Sequence, residues 1–336
     1  MLIVLQPGST PADLEAVLAR ARKLGLTAQP AQAGDRRIVA LSGGSTDATA
    51  FSDLSCVARV QRVDDAFRLS ARDKQPRGTV LDIGGVRLGS GQPLCVIAGP
   101  CSLESPEQAL GIARTLKQAG VRILRGGLFK PRTSPYSFQG IQEEGLKLLD
   151  EIRATVGLKV VTEAVDERTL DLLEPHADML QIGARNMQNF SLLRRAGKCR
   201  LPVLLKRGAG ATLDELLTAA DYILAGGNTQ VALCERGIRT FSSHSRYTLD
   251  LAAVPALHEL SHLPVVVDPS HGAGVRSRVP AMALAAVAAG ADAVMVEVHP
   301  EPTVARSDGQ QSLYPAQFAE LLPRLQAVAR AAGREA

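Results

Sequence analysis

The chain has 336 residues, with 38 Lys and Arg against 34 Asp and Glu, a formal net charge of +4, no Trp and 3% aromatic residues. So small a charge gives no ground for a nucleic-acid or membrane partner, no apolar run reaches the roughly 18 residues of a membrane span, and residues 1–8 lack the basic flank and long apolar stretch of a signal peptide. Five cysteines, Cys56, Cys95, Cys101, Cys199 and Cys234, are odd in number and irregularly spaced; they argue against a disulfide framework and for a reducing, cytoplasmic setting.

In chain order, the pattern predicts a strand at 2–5 and a helix at 11–24, with Thr10 as N-cap and Gly25 as its stop. Short strands follow at 28–33 and 37–41, either side of Gly34-Asp35. A second short helix at 48–54 and a strand at 57–62 complete a βαββαβ order, which is a ferredoxin-like split βαβ sandwich. No cluster of titratable residues lies in it, so it carries no chemistry on its own account. Residues 63–78 are polar and mixed in charge, as a linker is. Strands at 80–83 and 86–88 flank Gly84-Gly85 as a hairpin. The expected division is a small domain at 1–70, linker and hairpin at 71–93, and a larger domain at 94–336.

From residue 94 the pattern becomes strand, loop, helix, repeated eight times. Strands are expected at 94–98, 122–124, 159–162, 179–182, 202–205, 230–233, 264–267 and 293–296. The helices between and after them fall at 106–119, 141–156, 166–173, 190–196, 212–225, 254–260, 278–289 and 315–332. Eight near-equal units of Val, Leu, Ile and Ala fit an α/β fold of the (β/α)8 TIM-barrel type. A doubly wound sheet is the alternative, but no Gly-rich dinucleotide turn supports it.

Active sites of such barrels lie at the C-terminal ends of the strands. Here every strand delivers a polar or charged group at that end. In order they are Cys101-Ser102; Arg125, Lys130, Arg132, Thr133 and Ser134; Glu163; Arg185-Asn186; Lys206-Arg207; Glu235, Arg236 and Arg239; Asp268 and His271; and Glu297 and His299. A structural protein has no reason to concentrate them, so the chain reads as an enzyme.

Three constellations stand out. Cys101, His271, Glu297 and Asp308 come from loops 1, 7 and 8, which are neighbours around a closed barrel. A thiolate, an imidazole and two carboxylates suit Mn²⁺, Fe²⁺, Co²⁺ or Zn²⁺, with His299 a nearby competitor. Singly, Cys101 reads as a buried small residue and Asp308 as a turn residue; only their joint placement suggests a metal site. Arg125, Lys130, Arg132, Arg185, Lys206 and Arg239 form an anion basin, whose charge two phosphates and a carboxylate would balance. One or two of these arginines are expected to pair with structural carboxylates. Glu163, an acid set among the cations, either positions or deprotonates a water or holds an arginine in place. Lys206 at a strand end also fits a Schiff-base aldolase, and a decayed barrel acting as a non-catalytic amino-acid sensor is a third reading.

The stretches Lys130-Pro131-Arg132-Thr133-Ser134-Pro135, Ala98-Gly99-Pro100-Cys101-Ser102, Ile182-Gly183-Ala184-Arg185-Asn186, Asp268-Pro269-Ser270-His271 and Val296-Glu297-Val298-His299-Pro300 resemble 3-deoxy-D-arabino-heptulosonate 7-phosphate (DAHP) synthases. The similarity is to the type I beta subgroup with an N-terminal ferredoxin-like domain, and it runs over nearly the whole chain. The resemblance implies the first step of the shikimate pathway to the aromatic amino acids. In it, phosphoenolpyruvate condenses with erythrose 4-phosphate and water, and phosphate leaves by C–O cleavage. It further implies a divalent metal on Cys101, His271, Glu297 and Asp308. Arg125 and Lys206 would take the phosphoenolpyruvate carboxylate, and Arg185 and Arg239 its phosphate. Lys130 would lie where the substrates meet, Arg132, Thr133 and Ser134 would bind erythrose 4-phosphate, and Glu163 would order the attacking water. An ACT-like regulatory role for the first domain, inhibition by tyrosine or phenylalanine, and a homotetramer are implied in the same way.

A related family, the 3-deoxy-D-manno-octulosonate 8-phosphate synthases, carries Ala-Asn where this chain has Pro131-Arg132, and its metal-free members carry Asn in place of Cys101. The chain departs from the DAHP pattern at Val275 and Ser277, where Arg and Asp are common, and at Ser242, where an acid is common. These positions lie beside the candidate site, so they bear on local salt bridges or subunit contacts.

Overall fold

A computed structural model describes residues 1–33, 36–43, 47–61, 67–131, 134 and 136–334. It divides into two compact units, Met1–Ala66 and Phe67–Ala336.

In the first unit, β1 (Leu2–Leu5), β2 (Thr27–Ala33), β3 (Arg36–Ser42) and β4 (Val57–Gln61) form an antiparallel sheet in the order β2-β3-β1-β4, and α1 (Pro11–Lys23) follows β1. This is the ferredoxin-like arrangement. Helix α1 starts where Thr10 and Asp13 form a reciprocal capping box with Pro11 in the first turn, which satisfies amides the helix leaves open. The pleat sends alternate residues inward, so Ile3, Leu5, Val39 and Leu41 join Val17, Ala21 and Phe51 in the core. The helix expected at 48–54 is one 3-10 turn, Ala48–Phe51. Its local polar groups hold the short form: Asp47 accepts from the amide of Thr49 and Ser52 Oγ donates to Thr49 O at 2.7 Å. Such bonds compete with helix continuation, and the single turn already buries Phe51 fully. Gly34 and Asp35 lie outside the described residues.

The second unit opens with an antiparallel hairpin, β5 (Val80–Ile83) and β6 (Val86–Gly89). Eight parallel strands then close a barrel: β7 (Cys95–Gly99), β8 (Ile123–Arg125), β9 (Lys159–Ala164), β10 (Met179–Ile182), β11 (Val203–Lys206), β12 (Val231–Glu235), β13 (Val265–Val267) and β14 (Ala293–Glu297). The intervening helices are α2 (Pro106–Gln118), α3 (Leu146–Glu151), α4 (Glu167–Leu173), α5 (Phe190–Ala196), α6 (Leu213–Ala225), α7 (Ala253–Leu260), α8 (Pro269–Ala273), α9 (Val279–Ala288) and α10 (Pro315–Ala331). The helix expected at 141–156 is three pieces: a 3-10 turn, α3, and a π-helical turn at Ile152–Val156 that ends at Gly157 with φ of +71°. Helix α8 was not expected; Pro269 starts it and Asp268 caps it by accepting from the amide of His271.

Two apolar layers hold the barrel. Inside lie Ile97, Ile123, Val161, Met179, Leu204, Ala232, Val266 and Met295, and the hairpin side chains Leu81, Ile83, Val86 and Leu88 pack onto this layer. These barrel residues come from the early part of each strand, so the hairpin covers the N-terminal end. The outer layer joins the strands' other faces to the helices and includes Phe67. The amides of Leu69 and Ser70 donate to Asp221, Ser261 Oγ donates to Ser70 O, and the Thr79 amide donates to His262 O. Residues 67–78, the described part of the stretch read as a linker, are therefore bound into the barrel wall. Among the described residues, no helix is long and apolar enough to cross a membrane.

Candidate active site

The pleat that fills the barrel also builds the site. Residues two apart on a strand share a face. Ile123 is inside, so Arg125 is inside; Val161 is followed by Glu163, Met179 by Gln181, Leu204 by Lys206, Val266 by Asp268 and Met295 by Glu297. Each of these six strands begins apolar under the hairpin and leads to a polar residue at the mouth. All six polar residues are at most 9% exposed. Burial of this much charge is tolerable only where the groups compensate one another.

They do so in a connected network. Arg125 Nη1 lies 2.8 Å from Glu297 Oε1, Lys206 Nζ 2.5 Å from Asp268 Oδ2, and Lys130 Nζ 3.9 Å from Glu163 Oε2. Of the described basin cations, three therefore face carboxylates, and one of the three is an arginine. Burial opposes the charge on Arg125 and Lys130, but Glu297 for the one and Cys101 with Glu163 for the other outweigh it and raise both pKa values. Burial also opposes the charge on Asp268, yet His271 and Lys206 hold its carboxyl well below the usual range. Arg185 and Arg239 are exposed at the mouth; Arg185 Nη1 donates to Pro131 O at 3.2 Å, tying the loop after β10 to the loop after β8. Ser134 Oγ accepts from the Tyr136 amide at 3.3 Å. Arg132 and Thr133 lie outside the described residues.

Cys101, His271, Glu297 and Asp308 offer one ligand atom each, all within 4.8 Å of one another. Cys101 Sγ donates to Asp308 Oδ2 at 2.8 Å, and Lys130 Nζ donates to Cys101 Sγ at 3.0 Å. Burial pushes the Cys101 thiol up to about 12, with Lys130 pulling the other way. Glu297 Oε1 is buried and makes no hydrogen bond among the described residues, although Arg125 Nη1 is close. A buried anionic oxygen without a hydrogen bond, beside a thiol, an imidazole and a second carboxylate, is a donor set that a divalent cation completes. The four residues fit a metal. His299, the competitor, is turned elsewhere: its Nδ1 accepts from the Glu301 amide and its Nε2 lies 3.6 Å from Glu104.

Cys101, Arg125, Lys130, Glu163 and Gln181 line a small cavity in which the centre of a water-sized sphere has about 10 Å³, the room one water needs. Gln181 Nε2 donates to Glu163 Oε2 at 3.2 Å, and a Cβ on Gly183 would come within 2.0 Å of Glu163 Oε1. Glu163 is thus seated against a glycine that has to be bare. Gly99, at φ of +148°, is constrained in the same way, since a Cβ there would meet Arg125 O at 2.2 Å.

Four contributors fall outside the residues expected at the site. Gln181 holds Glu163, and Gln311 Nε2 donates to Glu297 Oε2 at 2.8 Å. Glu104 accepts from the Arg306 amide at 2.8 Å, which ties the loop of Cys101 to the loop of Asp308. Arg276 donates to Ser312 O and Gly309 O and stacks over Tyr314, bracing the loop in which Asp308 adopts φ of +54°. The same pleat parity that places Glu163 also points to Gln181; the loop residues have no such signal. Asp268, noted at its strand end but given no role, has Oδ2 accepting from both Lys206 and His271 Nδ1. Of the departures, Val275 and Ser277 are exposed, and Ser242 Oγ pairs with His244 Nδ1 at 3.1 Å.

Known proteins match the chain over both of its units. The DAHP synthetase I family matches residues 67–332, and the DAHP synthase ferredoxin-like domain matches residues 1–65. The phospho-2-dehydro-3-deoxyheptonate aldolase of Thermotoga maritima is 46% identical over 335 residues, which is 99% of each chain. Its crystal structure superposes with a TM-score of 0.80 over 99% of this chain and 98% of that one. A 2-dehydro-3-deoxyphosphooctonate aldolase of Bradyrhizobium is 32% identical over 266 residues, covering 74% of this chain and 92% of its own. The chain belongs to the DAHP synthetase I family, with a DAHP synthase ferredoxin-like domain ahead of its barrel.

Proposed function

We propose that this DAHP synthase is metal-dependent and that its barrel mouth joins phosphoenolpyruvate to erythrose 4-phosphate. The observation that carries the reading is the four-ligand group at the C-terminal strand ends, set beside buried cations. Cys101, His271, Glu297 and Asp308 would hold Mn²⁺, Fe²⁺, Co²⁺ or Zn²⁺. When bound, the metal supplies Lewis acidity toward the aldehyde oxygen.

The chain's own residues do the rest. Arg125 and Lys206 take the phosphoenolpyruvate carboxylate, and Arg185 and Arg239 its phosphate. Arg132, Thr133 and Ser134 take erythrose 4-phosphate and its phosphate. C3 of phosphoenolpyruvate then bonds to the aldehyde carbon, and Lys130, a buried ammonium at the meeting point, can give its proton to the oxygen that becomes a hydroxyl. Glu163 orients the water that adds at C2, after which the C2–O bond breaks and phosphate leaves. Gln181 and bare Gly183 keep Glu163 in place. In the first unit, a tyrosine- or phenylalanine-responsive role, and a homotetrameric assembly, follow from the family likeness alone. The thiols, all free, suit a cytoplasmic enzyme.

A second reading, with arabinose 5-phosphate as acceptor, is favoured by the 32% identity to octulosonate aldolases. One assay separates the two. Loss of phosphoenolpyruvate absorbance with erythrose 4-phosphate, abolished by a chelator and restored by Mn²⁺, is the expected result. Faster loss with arabinose 5-phosphate would replace the acceptor, and loss unaffected by chelation would remove the metal.

A further inference from the structure

Asp268 is completely buried at the end of β13. One of its oxygens, Oδ2, accepts from Lys206 Nζ at 2.5 Å and from His271 Nδ1 at 2.8 Å, while Oδ1 accepts from the His271 amide at 3.0 Å. A single carboxylate oxygen is thus shared by the ammonium assigned to the carboxylate of phosphoenolpyruvate and the imidazole assigned to the metal. With Nδ1 bound to Asp268, Nε2 is the nitrogen left for a metal, as with carboxylate-oriented histidine ligands generally.

We propose that Asp268 is a positioning residue that couples the two subsites, so that phosphoenolpyruvate and the metal each tighten the binding of the other through Lys206–Asp268–His271. The proposal rests on the assignment of Lys206 and His271 above. Its physical basis is competition for one oxygen. A ligand carboxylate that engages Lys206 draws the ammonium away from Asp268, and more of the Asp268 charge is left to His271 Nδ1–H. That makes Nε2 a stronger donor. In reverse, a metal on His271 draws Asp268 toward the imidazole and frees Lys206 for the carboxylate. Linkage requires the two effects to be equal.

The test is titration of the metal-free full-length protein with Co²⁺, followed by calorimetry and by the thiolate-to-cobalt absorption of Cys101. It is run alone, with phosphoenolpyruvate, and with inorganic phosphate. Phosphoenolpyruvate should tighten Co²⁺ about tenfold, within the usual span of coupling between sites, whereas phosphate, lacking the carboxylate, should leave it unchanged. Asp268→Asn should weaken Co²⁺ by about 10- to 100-fold and bring the effect of phosphoenolpyruvate close to one. Arg185→Ala should weaken phosphoenolpyruvate yet keep the coupling factor once the ligand is saturating. Equal tightening by phosphate in the wild-type protein, or full coupling in Asp268→Asn, would overturn the proposal; the phosphate arm needs no variant to fold. Turnover of phosphoenolpyruvate and erythrose 4-phosphate is measured in parallel. No turnover removes the reading beneath the proposal, while turnover without coupling removes the proposal alone.

Discussion

The two sides of the barrel mouth are built differently. Around β7, β13 and β14, Cys101, Asp268, His271 and Glu297 interlock, with side chains from fully buried to 20% exposed, and Gln311 and Arg125 close the ring. After β10 and β12, Arg185 and Arg239 face solvent, and Arg185 reaches a backbone carbonyl. The first side is organised before any ligand arrives, at the cost of buried charge. The second leaves its cations hydrated, to be completed by anionic ligands. Chemistry that must be aligned to fractions of an ångström sits on the rigid side, and long-range attraction of phosphates on the wet side.

The largest break in this comparison comes from the rigid side. Cys101→Ala should lower kcat at least about 10³-fold by removing one metal ligand, and the Co²⁺ absorption should vanish with it. Near-normal kcat would mean that the interlocked group is structural. Next, Glu163→Gln should cost about 10²-fold in kcat at nearly unchanged KM for phosphoenolpyruvate, as expected of a group that acts on a water. Gly183→Ala should move in the same direction because its Cβ collides with Glu163.

On the wet side, Arg185→Ala should raise KM for phosphoenolpyruvate about tenfold, with kcat changed by less, because one charged hydrogen-bond donor is lost. Its KM should also depend less on salt than that of the wild-type enzyme. The pH dependence sharpens the contrast. With its pKa raised, the Cys101 thiol is protonated at neutral pH, so metal uptake must expel a proton. Metal affinity should therefore rise about tenfold per pH unit from pH 6 to 8; a flat profile would mean that the thiol is already ionised. The smallest effect is expected for Arg276→Ala, which loosens the Asp308 loop and should weaken the metal only a few-fold.

Most of the barrel, and the strand ends that bring the four candidate ligands together, can be read from the residues. Strand-end polar groups such as Arg125, Glu163 and Lys206 follow apolar residues at period two, a local pattern. Gln181 obeys the same rule but is uncharged, so neither a cation nor an acid marks its position. The bracing of Asp308 by Glu104 and Arg276 was illegible for another reason. It passes through backbone atoms of distant loops, which side-chain patterns do not encode. In the first unit, the apolar and polar run at 48–54 has helical composition, but Asp47, Thr49 and Ser52 divert its backbone into one turn.

The fastening of residues 67–79 has a mechanical consequence. This segment is where the chain arrives from the first unit, and it is pinned to Asp221, Ser261 and His262. Ser261 and His262 lead into β13, and about 20 Å of extended chain further on stands Asp268. Tension applied at residue 67 would therefore fall first on α6, through Asp221, and then on the root of the strand whose tip carries Asp268 and leads directly to His271.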